Sequence, residues 1–259
     1  MPVIASIEQS GKSAQPTNLL SKAKHVISAE HLCKIYESNS NSIRALDDLS
    51  LQIDSGQKVA IVGRSGSGKT TLLNMLSGLD RPTSGRLVVD GFDLSKVDSA
   101  QVAKYRMNSI GVIFQSFQLI PQRSAAENIE LPLIIAGIPP AQRKQAVSQA
   151  IAEVGLKHRS NHFPFQLSGG EQQRVAIGRA LVKQPAVLLA DEPTGNLDSK
   201  TANEIMELVT RVSDEHSLTL VLISHDQELA KAYTQRQLTM DDGTLTEQSY
   251  GNTEKAASK

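Results

Sequence analysis

The chain has 259 residues, 39% of them hydrophobic and 21% charged, enough to bury one large core or two small ones. Lys plus Arg equals Asp plus Glu at 27 each, which argues against the basic field of a nucleic-acid-binding protein and against a polybasic surface for direct lipid contact. No apolar run approaches the roughly 20 residues that span a bilayer, residues 1–28 lack a signal-peptide core, and the single Cys33 makes no internal disulfide, so a cytoplasmic protein is expected, reaching a membrane only through a partner.

In chain order, the polar residues 1–25 and 249–259 read as loosely ordered tails around one folded unit over 26–248. Between 25 and 90, alternating runs such as Ser50-Leu51-Gln52-Ile53 and Arg86-Leu87-Val88-Val89 predict antiparallel strands flanking the apolar run Val59-Ala60-Ile61-Val62. That run opens into Gly63-Arg64-Ser65-Gly66-Ser67-Gly68-Lys69-Thr70, and the helical pattern Thr71-Leu72-Leu73-Asn74-Met75-Leu76 follows. Strand, glycine-rich loop and helix stand in the order of a P-loop, G-x-x-x-x-G-K-[ST]. Glycines let backbone N–H groups turn in on phosphate oxygens, Lys69 supplies a point charge for the β- and γ-phosphates, and the Thr70 hydroxyl is placed to ligate Mg2+.

From 115 to 168 the spacing turns helical, with 141–154 as an amphipathic helix and Pro121, Pro132, Pro139 and Pro140 as punctuation. Ser168 and Glu171 then form a capping box, and Gly169 and Gly170 leave the first N–H groups of that helix uncovered by side chains, where a phosphate could sit. Taken alone, Ser-x-x-Glu needs no more than an ordinary capped helix. A second apolar run, Val187-Leu188-Leu189-Ala190, ends in Asp191-Glu192-Pro193, the pattern of a buried parallel strand whose carboxylates emerge at the carboxyl edge of a sheet. After a P-loop, this assigns Asp191 to the Mg2+ shell and Glu192 to the water that attacks the γ-phosphate. A third run, 218–223, delivers Ser224-His225-Asp226, and Asp241-Asp242-Gly243 marks a hairpin turn.

The octapeptide Leu167-Ser168-Gly169-Gly170-Glu171-Gln172-Gln173-Arg174 resembles the signature sequence of the ATP-binding-cassette (ABC) ATPases, and from about 27 to 247 every motif stands in that family's order. The resemblance implies an α/β P-loop NTPase cassette with a mixed core sheet, an antiparallel β subdomain and a helical subdomain inserted at about 116–167. It implies ATP hydrolysis with Mg2+, the nucleotide being gripped by residues 63–71, Thr71 included. It further assigns His225 to the γ-phosphate, Gln115 to the metal and the attacking water, and Asp198 of Gly195-Asn196-Leu197-Asp198 to action across a subunit boundary. Tyr36 stands where the family stacks an aromatic on adenine, although a half-buried strand tyrosine accounts for it nearly as well.

In the family, two chains pack head to tail and each ATP is clamped between one P-loop and the opposite Ser168-Gly169-Gly170, so a homodimer on ATP is implied. Ala190-Asp191-Glu192-Pro193-Thr194-Gly195-Asn196-Leu197-Asp198, with Phe114-Gln115-Ser116-Phe117 and Leu131-Pro132-Leu133, resembles the branch serving lipoprotein release and macrolide-type export. That branch implies an FtsX- or MacB-like permease at the bacterial inner membrane, and a regulatory complex acting on cell-envelope enzymes is the alternative output. Residues 116–140 are expected to supply a groove for the permease, with Phe117 foremost and most other apolar side chains there filling a core.

Overall fold

The computed structural model describes residues 25–38 and 41–247, and the two expected tails fall outside these apart from His25, which opens the first strand. The strands are β1 His25–Ser38, β2 Asn41–Asp54, β3 Lys58–Val62, β4 Ser84–Val89, β5 Phe92–Asp93, β6 Ile110–Ile113, β7 Val187–Asp191, β8 Thr219–Ser224, β9 Arg236–Asp241 and β10 Thr244–Glu247. The α-helices are α1 Lys69–Leu76, α2 Ser99–Asn108, α3 Ala125–Ile135, α4 Pro140–Glu153, α5 Gly169–Leu181, α6 Ser199–Glu215 and α7 Gln227–Tyr233.

A six-stranded sheet runs in the order β10-β9-β3-β8-β7-β6, parallel except for the closing β9–β10 hairpin at Asp241–Thr244. Because successive side chains point to opposite faces, its apolar strands feed two cores at once. Ala60, Val62, Leu188, Ala190, Leu220 and Leu222 face a core shared with α3, α4, α5 and α6. Val59, Ile61, Val187, Leu189, Val221 and Ile223 face a second core shared with α1 and the antiparallel strands. This double burial is why these strands read as continuous apolar runs rather than as alternations.

The alternating strands occupy a separate four-stranded antiparallel sheet, β2-β1-β4-β5. They flank β3 in sequence but do not pair with it: its neighbours in the sheet are β8 and β9. One-sided patterning explains the separation, since Leu51, Ile53, Leu87 and Val89 are buried and the residues between them face outward.

Between β6 and β7 the chain is helical, and its lead-in loop is stapled by one fully buried side chain, Asn128 of α3. Asn128 accepts from the Ile120 N–H at 2.8 Å and donates to the carbonyls of Ile120, Arg123 and Ser124 at 3.2, 2.9 and 3.0 Å. Asn128→Ala leaves those backbone groups without their side-chain partner and is expected to lower stability by about 2–3 kcal/mol, read as a shifted urea midpoint at constant m-value. Within the segment expected to form a groove, Leu133 is core, while Ile134 and Ile135 are exposed.

Candidate nucleotide-binding site

Parallel pairing brings the carboxyl ends of β3, β8 and β7 to one edge of the sheet, with Val62 opposite Ser224 and Asp191 opposite Ile223. A cleft of about 620 Å³ opens there, lined by Ser65, Gly66, Gly68, Lys69, Thr70, Thr71, Asp191, Glu192 and His225. The loop that floors it tolerates little but glycine at two points. A Cβ on Gly63 would stand 2.3 Å from the Met240 carbonyl oxygen, and Gly68 has a φ of 107° with Ala45 O only 2.5 Å from its notional Cβ. The loop is also held from outside, since Gly243 N–H donates to Ser67 O at 2.9 Å and Asp47 N–H to Gly243 O at 3.1 Å.

Lys69 is buried at the start of α1, and its ammonium donates to the carbonyls of Gly63 and Arg64, both at 2.7 Å. Burial pulls its pKa down, and the carboxylates of Glu192 and Asp191 act in the opposite sense. The Asp191 carboxyl is pushed up by burial first and then by the charge of Glu192. No side chain caps α1, so its leading N–H groups are available to an anion, and the Ser67 hydroxyl, buried in the same loop, has no partner among the described residues. Hydroxyl, carboxylate, ammonium and free N–H groups in one cleft suit a nucleoside triphosphate with a hard cation.

Glu192 and His225 meet on the cleft wall, Nδ1 to Oε2 at 3.1 Å. Gln115 stands apart from the lining residues. Its side-chain amide lies against Gly195, where a Cβ would come within 2.8 Å of Nε2, and its main-chain carbonyl accepts from Asn196 Nδ2 at 3.0 Å. Tyr36 is also outside the lining: its hydroxyl donates to Asp80 at 2.8 Å, and the Lys34 ammonium, bound to the same Asp80 at 2.6 Å, sits 4.8 Å from its ring centroid. Burial works against ionisation of Asp80, but hydrogen bonds from Lys34 and Tyr36 outweigh it and hold the carboxyl below its ordinary range. Across the hairpin, Tyr36 pairs with Ile43, which does line the cleft.

Ser168, Gly169 and Gly170 are not among the residues that line this cleft. Ser168 caps α5 in a closed box, with its Oγ accepting from Glu171 N–H at 3.3 Å and Glu171 Oε2 accepting from Ser168 N–H at 2.9 Å. That backbone bond is the main cause of a lowered pKa at Glu171. Cβ atoms on Gly169 and Gly170 would meet Leu197 at 3.2 Å and Thr201 at 2.6 Å, so the start of α6 packs on the glycines of its own chain. Asp198 caps α6, accepting from Lys200 and Thr201 N–H at 3.1 Å, and its hydrogen bonds, first among them that from the Thr201 hydroxyl at 2.6 Å, lower its pKa.

Sequence reasoning missed Ile43, Arg44, Ala45, Asp242 and Gly243, which line the same cleft from β2 and the β9–β10 turn. Only the Asp-Gly turn signal pointed towards any of them. It also missed Arg179 of α5, whose guanidinium donates to the carbonyls of Gln118 and Phe117 at 2.5 and 2.8 Å and so grips a loop in which both residues have positive φ.

The family model described as ABC transporter matches residues 46–195. The chain is 44% identical over 227 residues to a lipoprotein-releasing system ATP-binding protein, LolD, of Syntrophotalea carbinolica, covering 88% of this chain and 100% of that one. LolD of Bordetella avium is 48% identical over 217 residues, covering 84% and 94%, and the ABC transporter ATP-binding protein YtrE of Bacillus subtilis is 47% identical over 194 residues, covering 75% and 84%. Among solved structures, the dimeric ATP-binding cassette MJ0796 bound to ADP and Pi, a post-hydrolysis state, superposes with a TM-score of 0.79 at 38% identity, covering 87% of this chain and 99% of that one. Sequence, fold and cleft agree that the chain belongs to the ABC transporter family, as its ATP-binding and ATP-hydrolysing subunit.

Proposed function

We propose that this chain powers lipoprotein release, as a homodimer on the cytoplasmic face of the bacterial inner membrane beneath an FtsX/MacB-like permease. One observation carries the cargo assignment: the match to lipoprotein-releasing subunits extends over 100% and 94% of their length. Among the described residues no helix is long and apolar enough to cross a membrane, in keeping with attachment through a permease. The working unit is residues 26–248, and its helical part at about 116–167 is the side offered to the permease.

In this reading residues 63–71 grip the triphosphate and Lys69 leaves its two loop carbonyls for the β- and γ-phosphates. Thr70 and Asp191 would hold Mg2+ together with Gln115, and the ion would supply charge neutralisation to the phosphates. Glu192 takes a proton from the attacking water, His225 orients the γ-phosphate, and Tyr36 stacks on adenine at the rim. Ser168, Gly169 and Gly170 serve the nucleotide of the opposite chain, with Asp198 acting across the same boundary.

Reconstitution in proteoliposomes with the permease and a lipoprotein tests the cargo. ATP should release the lipoprotein to a soluble acceptor, whereas permease-stimulated turnover with no lipoprotein leaving the membrane refutes the assignment. Ser168→Arg tests the shared site: ATP should still bind the variant's own P-loop, while ATP-driven dimerisation, measured by size-exclusion chromatography, is lost. Dimerisation at wild-type levels would remove α5 from the nucleotide interface.

A further inference from the structure

Helix α5 carries Ser168 at its cap and, further in, Gln173, whose side chain is 0% exposed. Gln173 Nε2 donates to the Pro193 carbonyl at 2.6 Å, while Oε1 has no hydrogen-bond partner among the described residues. The buried residues that follow on α5, Val175, Ala176 and Ile177, are apolar. A buried amide whose oxygen has no partner is a net cost in such a place, and methionine would fill a similar volume without it. What the amide gains is a single bond, made to the residue that follows Glu192.

Glu192 itself is held in an uncommon backbone state, with φ at 45°. Its N–H donates to Ile223 O at 2.9 Å and its carbonyl accepts from Gly195 N–H at 3.0 Å. Pro193 has no N–H to offer, so its carbonyl is the group through which a side chain can hold the next peptide of this turn. Arg179, on the same helix, holds the loop after Gln115 in a comparable way through the carbonyls of Phe117 and Gln118. One helix therefore braces the turns behind two of the side chains assigned to the hydrolysis step.

We infer that Gln173 is a positioning residue for Glu192: it ties α5, the helix that begins at Ser168, to the turn that aims the carboxylate at the attacking water. The placement of α5, fixed in the dimer by the nucleotide at Ser168, is thereby passed to the base of the same chain. The inference rests on Glu192 being that base.

The test uses the full-length chain carrying Gln173→Met, beside Glu192→Gln as control. Gln173→Met should lower kcat by about 10- to 100-fold, the range expected when a reacting group is misplaced by about 1 Å. The KM for ATP should stay within about twofold of wild type, and a dimer should persist in Mg-ATP on size-exclusion chromatography. A kcat within about twofold of wild type overturns the inference, and so does a loss of kcat accompanied by loss of the ATP dimer, which would mark a packing role. Should Gln173→Met not fold, Gln173→Asn is read by the same criteria, because it keeps an amide that is one methylene too short to reach Pro193. If Glu192→Gln turns over normally, the reading of Glu192 fails instead, and the two failures are distinguishable.

Discussion

Glu192→Gln is expected to bind Mg-ATP with near wild-type affinity and to hydrolyse it about 10²- to 10⁴-fold more slowly, the usual loss when a general base is removed. The substitution keeps the size of the side chain and an oxygen able to accept from His225, which lies 3.1 Å away. The backbone bonds from Glu192 N–H to Ile223 O and from Gly195 N–H to Glu192 O are untouched, so the turn should survive. What is lost is the basicity, together with the negative charge that acts on Lys69 and Asp191. With closure intact and cleavage slowed, the protein should accumulate as an ATP-bound dimer, visible by size-exclusion chromatography and as slow formation of ADP in single-turnover kinetics. A variant that stays monomeric in ATP and turns over normally would show that another group activates the water.

Lys69→Ala should reduce kcat/KM by about 10²- to 10³-fold or more, because it removes a preorganised cation from the place where phosphoryl charge develops. The defect should appear at the binding step as well, since Lys69 is the charged group at the uncapped start of α1. Equilibrium binding of a fluorescent ATP analogue separates the two effects. Circular dichroism should confirm a folded chain, which matters here because the substitution also removes the ammonium's hydrogen bonds to the carbonyls of Gly63 and Arg64. Full ATPase activity in a folded Lys69→Ala protein would refute the assignment of the loop.

Local pattern made the sheet edge readable: an unbroken apolar run is what burial on two faces demands, and each of three such runs ends at a residue the cleft uses, Lys69 just beyond the loop, Glu192 and His225. The partner of Gln173 was hidden, because its acceptor is a backbone carbonyl that tertiary packing delivers from another segment. Arg179, Asn196 and Asn128 escaped for the same reason: each grips main-chain atoms, which carry no residue identity. Asp80 carried no signal in the sequence, and only folding sets it between Lys34 and Tyr36. The separation of the two sheets was likewise invisible in the alternation of β2 and β4, which shows that one face is buried but not which element covers it.

The position of β3 between β8 and β9 matters to the order in which the chain is made. Lys58 pairs with Leu220 and Val62 with both Ser224 and Thr239, so the strand that leads into the P-loop leaves the ribosome long before either of its sheet neighbours exists. During that interval Val59, Ala60, Ile61 and Val62 form an unpaired apolar edge of the kind that nucleates aggregation. The antiparallel strands β1, β2 and β4 are synthesised around it and share its second core, so they can shelter Val59 and Ile61 first. The nascent chain then depends on cover for one face of β3 until its last parallel strand arrives.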